Sequence, residues 1–110
     1  MTSTPTGRSG AFNMARMDAG IPRGQQPFRV DYVKMTDSGG RTIMNPMTGR
    51  PVMTREYHFR TAGGQTVVIQ DHGFGHPDFG LGGHFNVRNP DNLRTGPPAP
   101  GTQGHYFFGR

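Results

Sequence analysis

The sequence predicts an α+β domain, with one short N-terminal helix followed by meandering β-hairpins. Three observations lead there. One segment near the start carries small and aromatic residues at helical spacing and ends on a helix-stop signal. Several later segments alternate polar and apolar residues with a period of two, and Gly, Pro, Asn and Asp punctuate them. Gly and Pro, 18 and 10 of the 110 residues, interrupt every stretch that would suit a coiled coil, a long-helix bundle or a membrane-spanning helix.

The length suits a single domain, read as residues 11–110 behind a flexible leader at 1–10. The helix is expected over 9–20. Ser9 is its N-cap, Phe12, Ala15 and Ala19 share a face, and Gly20 followed by Pro22 ends it. Residues 21–27 form a linker. A first strand is expected over 28–35, a turn at 37–40 (DSGG), a return strand over 41–44 and a second turn over 45–50 (NPMTGR). A third strand is expected over 52–60. Ala62, Gly63 and Gly64 then turn the chain into 65–71, the most apolar strand, with Val67, Val68 and Ile69. After a Gly-rich loop, His84–Arg88 alternates once more. Residues 89–94 suit one helical turn, 95–104 a Pro/Gly loop, and the chain closes on His105, Tyr106, Phe107 and Phe108.

Leu, Ile, Val and Phe together number only 19 of 110, so the core is small and the domain marginally stable by itself. The net charge is +5, and eleven of the twelve basic residues are arginines. The planar guanidinium fork suits phosphate, so the balance points to a polyanionic partner such as nucleic acid. With no Cys, disulfides and thiolate metal sites are excluded, and any metal must be held by His, Asp, Glu or Asn. The first ten residues have no apolar run of the signal-peptide kind.

Four of the five histidines lie in the last 39 residues, and histidine is both a neutral-pH base and a common metal ligand. Asp71 and His72 end the apolar strand. Neighbours on a strand point to opposite faces, so the two can act separately, one as ligand and one as base. His72 and His76 have i,i+4 spacing, but Gly73, Gly75 and Pro77 make a helix unsuitable there, and only a loop can bring both rings together. His84, Asn86 and Arg88 share one strand face, with Phe85 and Val87 on the other. This stripe suits a histidine ligand or base, an orienting amide and a phosphate clamp. Glu56, His58 and Arg60 also share a face. By themselves these read as a salt-bridged surface glutamate and a structural histidine. His105 is open between packing on the core and a role in a site. Phe74 and Phe79 read as plugs for a small core, and no glycine pattern matches a nucleotide-phosphate loop.

Five stretches, MARMDAGIPRGQQP (14–27), MTREYHF (53–59), VVIQDHGFGHPDFG (67–80), GGHFNVRNPDNLRTG (82–96) and PGTQGHYFF (100–108), occur in a specific order. In this the chain resembles the nuclease toxin domains of the HNH/endonuclease VII superfamily, of the E-H-H-H type. Those domains lie at the C-terminal ends of bacterial polymorphic toxins, especially RHS-repeat proteins. The resemblance implies a metal-dependent DNA endonuclease with a degenerate ββα-metal site. It assigns Glu56, His72, His76 and His84 to the signature, with His105 as a further candidate. It implies His72 as general base, with Glu56, His84 and Arg88 in the catalytic group. Asp71, His76, His84 and His105 are implied as ligands of one divalent ion, Mg2+, Zn2+ or similar. Arg88, Asn86, Arg94 and Arg55 are the expected substrate contacts. The implied partners are DNA, with RNA as a second possibility, and a cognate immunity protein, with no membrane. The implied route is secretion within a larger toxin and delivery to the target-cell cytoplasm.

Two features depart from the family pattern. Gly-Phe-Gly follows the Asp71–His72 pair, and residues 95–104 are too rich in Pro and Gly for the helix that normally follows the second strand. Either a stunted helix at 89–94 supplies Asp91 or Asn92, or His105 closes the site from the tail. Two rival functions use the same residues. One is a metal-independent RNase working through His72, His84, Arg88 and Tyr106, and the other is a nonenzymatic nucleic-acid-binding module.

Overall fold

The structure is a computed structural model that describes residues 7–37, 39–73, 83–91, 93 and 97–107. One helix, α1 (Arg8–Asp18), precedes five strands: β1 (Arg29–Lys34), β2 (Met53–Arg60), β3 (Thr66–His72), β4 (His84–Arg88) and β5 (Tyr106–Phe107). The strands form one antiparallel sheet in the order β1-β2-β3-β4-β5, so each pairs with its sequence neighbour. The α+β class expected from the sequence is what the chain adopts.

α1 begins at Arg8, so residues 8–10 of the expected leader are helical. The cap position is Gly7 and not Ser9, and no side chain caps it. The C-terminus follows the sequence closely. Gly20 takes a positive φ of 77°, Gly20 N–H bonds to Met17 O and Ile21 N–H to Arg16 O, a Schellman ending. Ala11, Ala15 and Ala19, at i, i+4 and i+8, give this helix a small-residue face that lets it lie close on the sheet. Phe12 reaches past them into the rings of Tyr57, Phe59 and Phe85 at 5.1–6.2 Å. Gly101 brings the tail against the end of the helix. A side chain there would place its Cβ 3.1 Å from Asp18 O, on a backbone already at φ 82°.

The expected return strand at 41–44 does not form. Two single bridges replace it, Thr36 with Thr42 and Met44 with Pro51. The segment is pinched between two tight turns, at Asp37 to Gly40 and at Asn45 to Gly49, and Pro51 offers no N–H to extend a ladder. No helix follows β4 among the described residues. The next element is β5, which pairs with β4, and residues 89–91 are loop and turn.

Register divides the sheet into two unlike faces. Tyr57, Phe59, Val67, Ile69, Phe85, Val87 and Tyr106 face α1 and form the core with its alanines, Ile21 and Ala99. The opposite face carries Asp31, Glu56, His58, Gln70, His72, His84, Asn86 and Arg88. It is polar yet largely buried: Glu56, Gln70, His72, His84 and Asn86 are each at most 9% exposed.

Candidate functional site

The site is built on that polar face. Cross-strand partners line up in rows. Asp31 opposes Glu56, Glu56 opposes Gln70 and Gln70 opposes Asn86, so one polar row crosses four strands. One step along, His72 opposes His84, which opposes Phe107.

Histidines converge at the β4 end. The ring of His84 lies 5.3 Å from that of His72 and 4.6 Å from that of His105, both near perpendicular. Asn86 sits beneath them with its amide between two rings. Its Nδ2 is 3.2 Å from His72 Nδ1, and its Oδ1 is 2.9 Å from His105 Nδ1. Asn86 is 2% exposed and His84 fully buried, so these polar contacts form out of bulk water, where they weigh most. Arg88, two residues beyond Asn86 on the same face, is part-buried, and burial pushes its guanidinium below the usual arginine range.

A second group occupies the β1 end. Asp31, Glu56 and His58 bring one ligand atom each to within 4.8 Å of one another. Among the described residues it is the set of His, Asp and Glu that meets this spacing. Arg29 Nε donates to Asp31 Oδ1 at 2.8 Å, and this bond holds the Asp31 carboxyl below its ordinary range. His58 Nε2 lies 3.3 Å from Asp31 Oδ2. Glu56 is anchored from the other side by Gln70, whose Nε2 donates to Glu56 Oε2 at 3.0 Å and also to Leu93 O at 2.6 Å. Gln70 thus ties the carboxylate group to Leu93, and it faces Asn86 across β3 and β4.

The residues singled out by sequence are distributed as follows. His72, His84, His105 and Asn86 come together, and Arg88 lies on the same face at the far end of β4, opposite Val68. Glu56 shares their face, two strands away from Asn86. Asp71 does not join them. It points to the helix side, where its Oδ2 accepts from Arg8 at 2.6 Å, so a ligand set of Asp71 with His84 and His105 is split by the sheet. The cause is the period of two already visible in the sequence: if His72 faces the histidines, Asp71 cannot. Arg55 also lies on the helix side, exposed, over the Tyr32 ring at 5.7 Å, and does not share a face with Arg88. Tyr106 is in the core. Its hydroxyl donates to Asp18 Oδ2 at 2.7 Å and accepts from Gln103 N–H at 2.8 Å, and burial raises its pKa, so it is remote from the histidine face. His76, Arg94, Asn92, Phe74 and Phe79 lie outside the described residues.

Sequence reading missed Asp31 and Gln70. Gln70 had a signal, a carboxamide in the middle of an apolar strand. Asp31 had none beyond its place in an alternating segment, because its partner Glu56 is 25 residues away.

The family model of HNH/Endo VII superfamily nuclease toxins matches residues 45–108, the stretch that holds β2 to β5 and all five histidines. The chain belongs to this family. The nuclease toxin is therefore a hydrolase of phosphodiester bonds whose substrate is a nucleic acid. Nucleases of the HNH family usually depend on a metal, and the Asp31–Glu56–His58 group is a possible metal-binding group in this toxin. Asp31 stands in β1, outside the matched stretch. No curated protein and no solved structure matches the chain.

Proposed function

We propose that the chain is a metal-dependent DNA endonuclease, the C-terminal effector of a larger RHS-type toxin that is secreted and acts in the cytoplasm of target bacteria. The observation that carries this reading is the gathering of His72, His84 and His105 around Asn86, with Arg88 on the same face. Hydrolysis of a phosphodiester needs a base for the attacking water and positive charge near the phosphate. A histidine of the cluster takes the proton of the water, and the Arg88 guanidinium holds the phosphate. Asn86 orients the rings. The arginine-rich composition draws the polyanion to the surface.

The donor set on the carboxylate end fits a divalent cation. Two carboxylates, Asp31 and Glu56, stand directly opposite across β1 and β2, an arrangement that is unfavourable without a counter-charge. Arg29 supplies part of that charge now. Asp31, Glu56 and His58 would hold an ion of the Mg2+ or Zn2+ kind. Such an ion supplies positive charge for a phosphate oxygen. The cognate immunity protein of the producing cell is expected to be acidic where it covers the basic surface.

A second reading is favoured by one observation. Among the described residues the histidine cluster contains no carboxylate, and Glu56 is two strands away, about 10 Å in sheet spacing. A metal-independent RNase would use such a cluster directly. One assay separates the two. The purified chain is incubated with supercoiled plasmid and with RNA, with Mg2+ and with EDTA. Plasmid cutting that EDTA abolishes is the expected result. Chelator-resistant RNA cleavage with intact plasmid would overturn the DNase reading.

A further inference from the structure

β1 is an edge strand, at the end of the sheet that α1 leaves uncovered. α1 packs over β4 and β5, while Phe28, Val30 and Tyr32 stay 52%, 48% and 65% exposed. Two of these are aromatic, and each lies under an arginine of β2. The Arg55 guanidinium is 5.7 Å from the centroid of the Tyr32 ring, and that of Arg60 is 4.9 Å from the centroid of the Phe28 ring. Tyr32 opposes Arg55 on the helix side. Phe28 N–H bonds to His58 O, although His58 is the partner of Arg29. With this one-residue offset the Phe28 ring meets the His58 ring at 6.1 Å, on the side of the carboxylate group. One aromatic–arginine pair thus stands on each side of the edge. Among the described residues neither Arg55 nor Arg60 makes an ion pair. We propose that this edge is a stacking platform for unpaired nucleotides of the substrate, with Phe28 and Tyr32 as the base-stacking rings and Arg60 and Arg55 as the phosphate contacts.

Two properties select this occupant. An exposed aromatic ring offers a π-face to any base, provided that the base is free of its own neighbours in a duplex. The charge around the rings is positive. β1 and β2 carry Arg29, Lys34, Arg55 and Arg60 against Asp31 and Glu56, and of these carboxylates one is buried and the other is paired with Arg29. A guanidinium rests on a ring by cation–π attraction. When a base takes the ring face, the long side chain is in reach of the phosphate beside it. A second copy of the chain paired edge to edge is the rival occupant, because an edge strand is open to such pairing. It would set these cations against their own copies, whereas a nucleic acid strand neutralises them. The Phe28 ring touches His58, a member of the possible ion-binding group, so a strand held there lies beside the polar rows. Phe28 and Tyr32 stand outside residues 45–108, so the platform is a feature of this chain beyond the stretch the family model matches.

The inference rests on the nuclease reading for its purpose, but it is testable without cleavage. Binding of the whole chain to a fluorescent thymidine oligonucleotide of about twelve residues is followed by anisotropy in EDTA, with the oligonucleotide checked for integrity on a gel. A duplex of the same length is measured beside it. Phe28→Leu and Tyr32→Leu keep an apolar side chain and remove the π-face. Each is expected to weaken binding of the single strand about 5- to 100-fold and of the duplex less than about twofold, because duplex bases already stack on one another. Phe28→Trp and Tyr32→Phe are expected to restore most of the affinity. Arg55→Gln and Arg60→Gln are each expected to lower the slope of log Kd against log salt by about 0.7 for the single strand. All four side chains lie on the surface, and circular dichroism checks each fold. Unchanged single-strand affinity in either leucine variant overturns the proposal, as does an equal loss for the duplex. A dimer in sedimentation that the leucine variants dissolve, with oligonucleotide affinity unchanged, overturns it in favour of edge pairing. A protein that binds the single strand as expected but cuts neither DNA nor RNA upholds the platform and sinks the nuclease reading. One that cuts, with oligonucleotide binding unaffected by the leucine variants, sinks the platform alone.

Discussion

The two faces of one sheet use burial for opposite ends. The helix-side face buries Phe59, Ile69, Phe85 and Val87 against an alanine stripe and satisfies few polar groups. The other face buries His72, His84, Asn86, Gln70 and Glu56 to a similar degree, and those polar atoms require partners. Burying an apolar side chain stabilises by roughly 1.5–3 kcal/mol. Burying a hydrogen-bonded polar one contributes little net stability and is costly if a partner is lost. The fold is held from one side and the polar rows are displayed on the other, by strands common to both. A chain with few core formers can manage this because each strand serves both faces.

The largest expected effect breaks the polar side alone. His72→Gln is expected to reduce nuclease turnover about 100- to 10,000-fold while far-UV dichroism and the melting curve stay close to wild type. Equal loss of fold and activity would mean the two faces are not separable. Next comes the opposite break. Phe85→Ala on the helix side is expected to cost about 3–5 kcal/mol, enough to unfold much of a small domain at 37 °C, as read by denaturant titration. The cation site is a smaller test. Saturating Mg2+ or Mn2+, at about 100 times its dissociation constant, is expected to add about 2.7 kcal/mol of stability. Glu56→Gln is expected to abolish that gain in a thermal shift assay. A gain that survives in Glu56→Gln would place the ion elsewhere.

The smallest effect concerns acid. Hydrogen bonds from Arg29 to Asp31, and from the Arg41 N–H to Asp37, hold both carboxyls below the ordinary value of 3.8. A lowered folded-state pKa means the stability these groups add is present above about that value. It is lost as pH falls through their lower folded values. Asp31→Asn should therefore lower stability slightly at pH 7 and converge on wild type in strong acid, which flattens the acid limb below pH 4, as seen by urea unfolding at a series of pH values. A steeper acid limb in that variant would contradict the Arg29 pairing.

Much of this molecule was legible in its sequence, for a physical reason that differs from element to element. The helix stop at Gly20 was legible because a left-handed residue after the last turn is a local demand. The His84–Asn86–Arg88 stripe was legible because side chains alternate along any strand. The same rule puts Asp71 and His72 on opposite faces, whereas the family resemblance implied both in one site. The strand at 41–44 is reduced to single bridges because Ile43 bonds to Met35 O and to Val52 N–H, but the tight turn on each side stops either ladder from extending. Asp31 and Gln70 were invisible as site residues because what makes them so is the row they share with Glu56 and Asn86.

By itself, then, the sequence determined the α+β class, the arginine-rich surface, the period of each strand and the identity of the polar stripe. These are properties of short windows, set by backbone geometry and side-chain chemistry. Tertiary structure alone decided which stripes lie side by side. It set Glu56 beside Gln70, sent Asp71 to Arg8 and brought His105 across to Asn86. Register between strands depends on which faces of the whole sheet can be buried together, and no single window of the chain carries that condition.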